Sequence, residues 1–518
     1  MAVDSASVPA ASERAGTVTQ PDRRAVVLAG AAIGASALCH PFGLAASPTP
    51  ADWKALRRRL STHELSLPGE PSYRKAKELF DPRFDRLKPA GIAYCAGHAD
   101  VSACLSFASK FSLPVRARAG GHSYAGWSSV TGGLIIDVSR ISYFTAGSGT
   151  VTVGAGLDLI GLYGRLAALG LAVPGGSCPT VGLAGLALGG GVGVLSRQYG
   201  LTSDNVEAVK IVTADGSVLT CDSTHHSDLY WACRGGGGGN FGIVTSFTLR
   251  THRLGSLVRF FLQWPWSLAA AVVGAWQSWA PTAPDALWSN MHLSAAFGGA
   301  PQLSVGGTYV GGRAGAQRLL NHLFAKVGSA PATNIVESQT FLEVMLIEAG
   351  CDPNSSYQLC RAHATRVPSF AKSDFFTRKL SGSGIATLLA GIERLGGISG
   401  ASGGAGSIAF DAFGGVINKV PADATAFVHR DALFLAQYYT GWNSPGSPAG
   451  VARQHEWLRT FYADLHPHAS GQAYQNYIDP DLTDWRQAYY GANFPRLQAV
   501  KAKYDPGGLF RFPQGITA

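Results

Sequence analysis

Alternation marks the first clear strand. Val115, Ala117 and Ala119 take every second place, with Arg116 and Arg118 between them, the two-residue period of a half-buried strand. Leu134-Ile135-Ile136-Asp137-Val138, after Gly132-Gly133, predicts a second strand. Residues 157–169 have helical spacing and stop at Gly170, which suits a left-handed cap. Residues 209–213 and 218–220 flank Asp215-Gly216 and predict a hairpin closed by a tight primed turn. Residues 243–250 predict a further strand, and the charged stretch 53–87 predicts a helical lead-in.

The rhythm changes after Arg253. Strand-like runs at 258–264, 287–296 and 303–310 are joined by helical stretches at 313–326, 385–395 and 451–465. Strands and helices in blocks predict an α+β unit with a largely antiparallel sheet. No internal repeat is present, and 396–407 is a Gly/Ser-rich loop. The last stretch is dense in Tyr, Asp and Pro and is expected to return to the first unit. The predicted organisation is therefore a leader over 1–48, a domain over 71–252, a second over 253–470, and a C-terminal segment over 471–518 that packs back on the first.

Composition narrows the picture. The chain has 518 residues, too many for one compact core, and 46% hydrophobic against 14% charged residues makes it globular. Its 65 glycines cluster among Val, Leu and Ile, which points to backbone that must approach something closely. The net charge of +9 is scattered, with Arg57-Arg58-Arg59 the densest run. Without a basic stripe and interleaved aromatics, nucleic-acid binding is not expected. No stretch after the leader reaches the roughly 18–20 apolar residues of a membrane span. In the leader, Arg23-Arg24 precede an apolar run over 25–38 and the small-residue site Gly43-Leu44-Ala45-Ala46. That pattern resembles a bacterial twin-arginine export signal, so the protein is expected to be exported. Loss of Cys39 with the leader leaves seven of eight cysteines, an odd count with one sulfur over for other work. Cys351 and Cys360 bracket a short polar loop and can pair, although sequence fixes no connectivity.

Three glycine-rich segments carry candidate chemistry. Arg116-Ala117-Arg118-Ala119-Gly120-Gly121-His122-Ser123-Tyr124 ends a strand, where paired glycines expose backbone N–H groups as an anion-binding nest. Pro174-Gly175-Gly176-Ser177-Cys178-Pro179-Thr180-Val181-Gly182 sets a cysteine in a loop, and Gly189-Gly190-Gly191-Val192-Gly193 follows. Gly237, Gly239 and Gly242 match G-x-G-x-x-G formally, but the motif needs a strand before and a helix after. Here a β-rich run follows, so a dinucleotide fold of that type is rejected. Gly400-Ala401-Ser402-Gly403-Gly404 matches a hydrolase pattern but lacks the strand–turn–helix setting. His225-His226 are adjacent, and no metal site is expected.

In order and spacing, these segments resemble the berberine-bridge-enzyme-like branch of the vanillyl-alcohol-oxidase flavoprotein superfamily. Tyr474-Gln475-Asn476-Tyr477-Ile478-Asp479, Tyr504-Asp505-Pro506 and Phe512-Pro513-Gln514 match its terminal motif, and the resemblance spans about 71–516. It implies a two-domain α+β FAD-binding fold of the vanillyl-alcohol-oxidase type, with an antiparallel-sheet substrate domain. It further implies FAD held bicovalently, His122 on the flavin 8α-methyl and Cys178 on C6. Arg118, Ala119, Gly120, Gly121 and Ser123 would line the pyrophosphate. Gly182, Leu183, Ala184, Gly185, Leu186, Val192, Gly238 and Ile243 would line the rest, with Tyr474 and Asn476 approaching from the C-terminal segment. Tyr477, the second Tyr of Tyr-x-Asn-Tyr, would be the catalytic base, with Asn476 facing the other way on an extended segment.

Two departures stand out. Some relatives carry Tyr after the triple glycine, where this chain has Val192. Others place an acid on the strand after a His-Arg pair. Here His429-Arg430 precede a strand over 432–440 with no acid beyond Asp431. Gln437 and Tyr438 are candidate substrate contacts, one for each facing of that strand. The expected function is oxidation of a hydroxyl-bearing small molecule, a sugar, oligosaccharide or natural-product alcohol. Hydride passes to the flavin, and dioxygen reoxidises it to give hydrogen peroxide. The alternatives are a flavin-dependent dehydrogenase, an oxidative-cyclisation enzyme of secondary metabolism, and a flavin-carrying binding protein. Oligomeric state is not legible.

Overall fold

The computed structural model describes residues 47–398, 404–443 and 446–518, all within the compact unit 46–518. Residues 1–46 of the expected leader and Gly400 to Gly403 lie outside the described residues.

Strands β1 (Leu65–Ser66), β2 (Gly91–Tyr94), β3 (Val115–Arg118) and β4 (Leu134–Asp137) form a sheet in the order β1-β2-β4-β3. The helix His98–Lys110 carries the chain across, so β2 and β3 both run parallel to β4. Central β4 is buried at every position, which is why its sequence reads as an apolar run rather than an alternation. Strand β3 departs from the expected alternation: Arg118 is buried and Ala117 only half-buried. The cause lies opposite in register, where Asp137 accepts from Arg118 Nε. The lead-in is not one helix. It breaks into Pro50–Arg59, β1 and a turn at Tyr73–Ala76, with β1 pairing onto the sheet.

Next come β5 (Phe144–Ala146), β6 (Thr150–Gly154), β7 (Leu171–Ala172), β8 (Val206–Val212), β9 (Val218–Cys221), β10 (Ile243–Arg250) and β11 (His252–Arg253). An antiparallel sheet in the order β5-β6-β10-β8-β9 results, with β7 and β11 a separate pair. The predicted β8–β9 hairpin forms, but its turn differs. Thr213 N donates to Ser217 O, so three residues make the loop and only Gly216 has positive φ. A two-residue primed turn of that type would also need Asp215 there.

The third sheet is wholly antiparallel: β12 (Leu257–Trp264), β13 (Leu287–Ala296), β14 (Gln302–Val310), β15 (Thr333–Gln339), β16 (Ser369–Phe376), β17 (Ala405–Ala412) and β18 (Phe434–Gly441). Their order is β15-β12-β14-β13-β17-β18-β16. One face, with Phe260, Met291, Val305, Phe410 and Phe434, is the core beneath four helices, including Ala269–Trp279 and Pro448–Leu465. Alternation leaves Arg259, Asn290, His292, Asp411 and Gln437 on the other face.

A second core joins the first two sheets to residues 473–516, so the C-terminal segment packs with the early part of the chain. Buried Lys501 fixes it there, donating to Asp505, to Asn240 O (2.6 Å) and to Phe510 O (2.7 Å). Two further arginines bind the cores together. Fully buried Arg197 donates from Nε to Leu287 O (2.7 Å), from Nη1 to Pro281 O and Phe413 O, and from Nη2 to Ala283 O. Burial lowers its pKa to about 10, so it stays charged at neutral pH. Arg430 grips Asp204 with two parallel bonds of 2.7 and 2.8 Å. Arg197→Met keeps the bulk but leaves four carbonyls, two of them in fully buried bonds, without that donor. It is expected to cost about 3 kcal/mol or more of unfolding free energy, read from the urea midpoint at unchanged m-value.

Candidate active site

The turn after β3 is built from backbone. A Cβ on Gly120 would lie 2.4 Å from Gly182 N, and one on Gly182 would lie 2.4 Å from Gly120 N. Only glycine lets the two segments touch. Among the described residues, the N–H groups from Gly120 to Ser123 donate to nothing, and buried Arg118 Nη1 has no partner. Across from this turn, Gly185 has nothing within 4 Å of an added Cβ, and at Gly238 the nearest atom is Gly185 Cα at 3.8 Å. Leu183 and Ala184 are buried core beneath, with Leu186 packed against it, in the helix Leu183–Leu188. Ala119 packs against the same core.

His122 leaves this turn with its ring stacked on Phe80 at 3.9 Å. Nε2 lies 2.9 Å from Thr180 Oγ1, which leaves Nδ1 free among the described residues. Burial lowers the imidazole to about 4 against the opposing pull of Thr180, so it is neutral at pH 7. Cys178 is solvent-accessible yet ringed by protein, which pushes its thiol above the ordinary value. It lies near enough to Tyr124 and Tyr477 for its ionisation to raise both phenols. The odd-cysteine arithmetic does not hold. Cys351–Cys360 is a disulfide, while Cys95, Cys104, Cys221 and Cys233 are all free and buried. Cys178 is distinguished by access, not by being left over.

The C-terminal motif is a 3-10 turn, Gln475–Tyr477, not an extended segment, so neighbours do not simply alternate. Three successive side chains pin the glycine segments. Tyr474 Oη accepts from Gly191 N and Asn476 Nδ2, both at 2.8 Å, and Asn476 Nδ2 also donates to Leu186 O (3.0 Å). Gln475 Nε2 donates to Gly189 O (2.9 Å) and Gly235 O. Tyr477 is what remains. Its ring meets Tyr474 at 5.0 Å and Tyr124 at 6.1 Å, both edge-on, and its hydroxyl makes no hydrogen bond among the described residues. Burial pushes the phenol well above 10, and Asp411, Tyr124, Tyr474 and Cys178 push it further. None of the largest contributions comes from a cation, so Tyr477 alone makes a poor base.

The two facings of β18 are now distinct. Gln437 Nε2 donates to Tyr124 Oη at 2.8 Å, which brings the sheet to the glycine turn. The structure does not bring Tyr438 to the site: it is fully buried in the helix-covered core, its hydroxyl donating to Asp374 (2.8 Å). Val192 packs beside Tyr477 in a small apolar cluster with Leu201, Phe375 and Phe427. Ile243 is buried where β10 begins, and a helix, Ser227–Ala232, precedes the Gly235–Gly239 run.

Asp411 was missed. It lies on β17, paired with Leu435 of β18, and is the first charged group to act on Tyr477. Burial, helped by Glu348, raises its carboxyl to about 7. A signal did exist: Ser407, Ala409 and Asp411 alternate with Ile408, Phe410 and Ala412. Tyr124, Phe80 and Thr180 were likewise unassigned. Among the described residues no cluster of metal-binding side chains occurs, and exposed His225 pairs with Asp222.

An FAD binding domain model matches residues 89–222, and a berberine and berberine-like model matches 473–517. An uncharacterised FAD-linked oxidoreductase of Bacillus subtilis (strain 168) is 33% identical over 453 residues, 86% of this chain and 95% of that one. A chitooligosaccharide oxidase of Gibberella zeae is 31% identical over 447 residues, 83% and 87% of the two chains. Among solved structures, BBE-like 1 of Physcomitrella patens superposes with TM-score 0.81 at 29% identity, covering 89% and 98%. The site fits FAD. A nest of undonated N–H groups beside an unpartnered guanidinium suits a pyrophosphate, and side-chain-free walls at Gly185 and Gly238 admit a flat ligand.

Proposed function

Because this chain belongs to the berberine and berberine-like family of FAD-linked oxidoreductases, we propose that it is an oxidase of hydroxyl-bearing small molecules, sugars or oligosaccharides foremost, with FAD bound through His122 and Cys178. The carrying observation is that Cys178 and Asp411 both act on Tyr477, while His122, neutral and with Nδ1 free, leaves the turn of undonated backbone. When bound, FAD supplies a two-electron acceptor that takes hydride from the substrate C–H and returns to its oxidised form with dioxygen, giving hydrogen peroxide.

The remaining work falls to the chain. His122 presents a neutral Nδ1, the form able to bond the 8α-methyl, because Thr180 occupies Nε2 and burial keeps the ring unprotonated. Accessible Cys178 offers the second attachment. Arg118 and the turn from Ala119 to Ser123 hold the pyrophosphate. Gly182 to Leu186, Val192, Gly238 and Ile243 shape the rest of the cradle, with Tyr474 and Asn476 locking it. Gln437 positions substrate through Tyr124. As hydride leaves, the hydroxyl proton passes to Tyr477 and the Tyr477 proton to ionised Asp411 by way of a bridging water, since the two side chains share no hydrogen bond, so no free phenolate forms in this buried setting. Residues 71–252 serve the cofactor and 253–470 the substrate, with 471–518 closing the site. The twin-arginine-like leader directs export of the loaded protein.

Three measurements test this reading. Acid-precipitated wild type is expected to stay yellow, with one flavin-linked species containing both His122 and Cys178 peptides; colour lost to the supernatant refutes the tethers. Flavin reduction by an oxidisable alcohol or sugar is expected to rise with pH through about 7 as Asp411 ionises. Asp411→Asn should abolish that rise and slow reduction about a hundredfold, as should Tyr477→Phe; a persisting limb in Asp411→Asn places the base elsewhere. Replacing Arg23 and Arg24 by Lys is expected to hold the precursor in the cytoplasm, and unchanged appearance of a mature chain starting near Ala46 outside it overturns export alone.

A further inference from the structure

The segment from Leu79 to Asp85 carries none of the glycine motifs, yet it is fixed on two sides. Phe80 N donates to Gly121 O (3.1 Å) and Arg83 Nη2 to Tyr124 O (3.0 Å), so it grips the turn just before His122 and two residues after it. Buried Asp81 accepts from Arg83 Nε (2.9 Å) and from Ser369 N (3.3 Å) at the start of β16. Arg366 Nε donates to Leu79 O (2.7 Å). The segment therefore ties the His122 turn to the large sheet. From it, Phe80 lays its ring on the His122 imidazole, centroids 3.9 Å apart and planes 19° from parallel.

That contact supplies a constraint that hydrogen bonding alone does not. An imidazole turns about its Cβ–Cγ bond with only a broad preference. Thr180 Oγ1, 2.9 Å away, fixes the position of Nε2 but not the tilt of the ring. The lone pair of Nδ1 lies in the ring plane, so tilt carries it off line, and misalignment is costly wherever a bond must form. A flat neighbour in near-parallel contact removes the tilt. An aliphatic side chain of similar bulk fills the same space without setting a plane. The phenyl ring also shields one imidazole face from water, in keeping with the burial that holds His122 neutral at pH 7.

Resting on the reading of His122 as a flavin tether, we propose that Phe80 is a positioning residue for that attachment, setting the imidazole plane so that Nδ1 meets the 8α carbon, while the Cys178 bond forms without it. In net terms one methyl C–H and the imidazole N–H are lost and the Nδ1–C bond forms. Dioxygen takes up the two electrons and two protons as hydrogen peroxide. Because Asp81 and Arg366 hold the segment from the large sheet, the geometry of the tether is set from that side of the molecule as well as from the glycine turn.

The test uses the full chain as expressed, with its total flavin content and a peptide map of every flavin-linked species. Wild type and Phe80→Tyr, which keeps the ring, are expected to carry flavin on both His122 and Cys178. Phe80→Leu is expected to keep the Cys178 bond and lose the His122 bond in most molecules, the His122-linked share falling about tenfold, the upper range for an aromatic pair. Phe80→Met replaces it should the Leu chain not fold. A His122 bond at the wild-type level in the aliphatic variant, equal loss of both bonds, or loss of the His122 bond in Phe80→Tyr overturns the positioning role. A wild type with no flavin on His122 overturns the tether reading itself, and the role of Phe80 with it.

Discussion

The site depends on one charge with no counter-charge in hydrogen-bond reach. Arg197 is sealed from solvent and held by the carbonyls of Pro281, Ala283, Leu287 and Phe413. Those carbonyls belong to the large sheet and its connections, while Arg197 follows the triple glycine that leads into Val192. Planar guanidinium geometry converts this into orientation as well as attachment. A guanidinium so placed fixes the polar sheet face against the glycine turns, and Arg430 with Asp204 adds a second fixed point. Without these, Gln437 and Tyr124 would have no reason to meet.

The C-terminal motif plays a matching role at shorter range. Tyr474, Gln475 and Asn476 spend their polar atoms on the backbone of Leu186, Gly189, Gly191 and Gly235. Glycine-rich backbone has many conformations to lose, and these bonds select one of them. The Tyr477 hydroxyl is left without a hydrogen bond among the described residues, while its three predecessors are engaged in structure.

Much of this was legible in the chain itself. Strands β10 and β13 fall where the runs 243–250 and 287–296 put them, because both are buried over most of their length. The three glycine segments and the terminal motif were visible as motifs, and the structure packs the terminal motif onto the second and third of those segments. What failed depended on neighbours remote in sequence. Arg118 is buried because Asp137 stands beside it in a parallel register, which no local pattern encodes. Asp411 escaped notice because the search for an acid followed β18, whereas the acid sits on the adjacent strand and acts across the sheet. The facing of Tyr438 was undecidable until the helices covering one side were in place. Cysteine counting misled because four thiols are buried and unpaired, so parity carried no information.

The return of residues 473–516 to the first core has a consequence in time. The glycine cradle is assembled from segments made early, but the side chains that lock it are translated much later. The nascent chain can fold β2 to β4 and the large sheet while the cradle remains unlatched, and the latch closes only after residues 473–516 leave the ribosome. Cofactor entry is thereby given a window before closure, and a truncated product, lacking the latch, is denied a finished site.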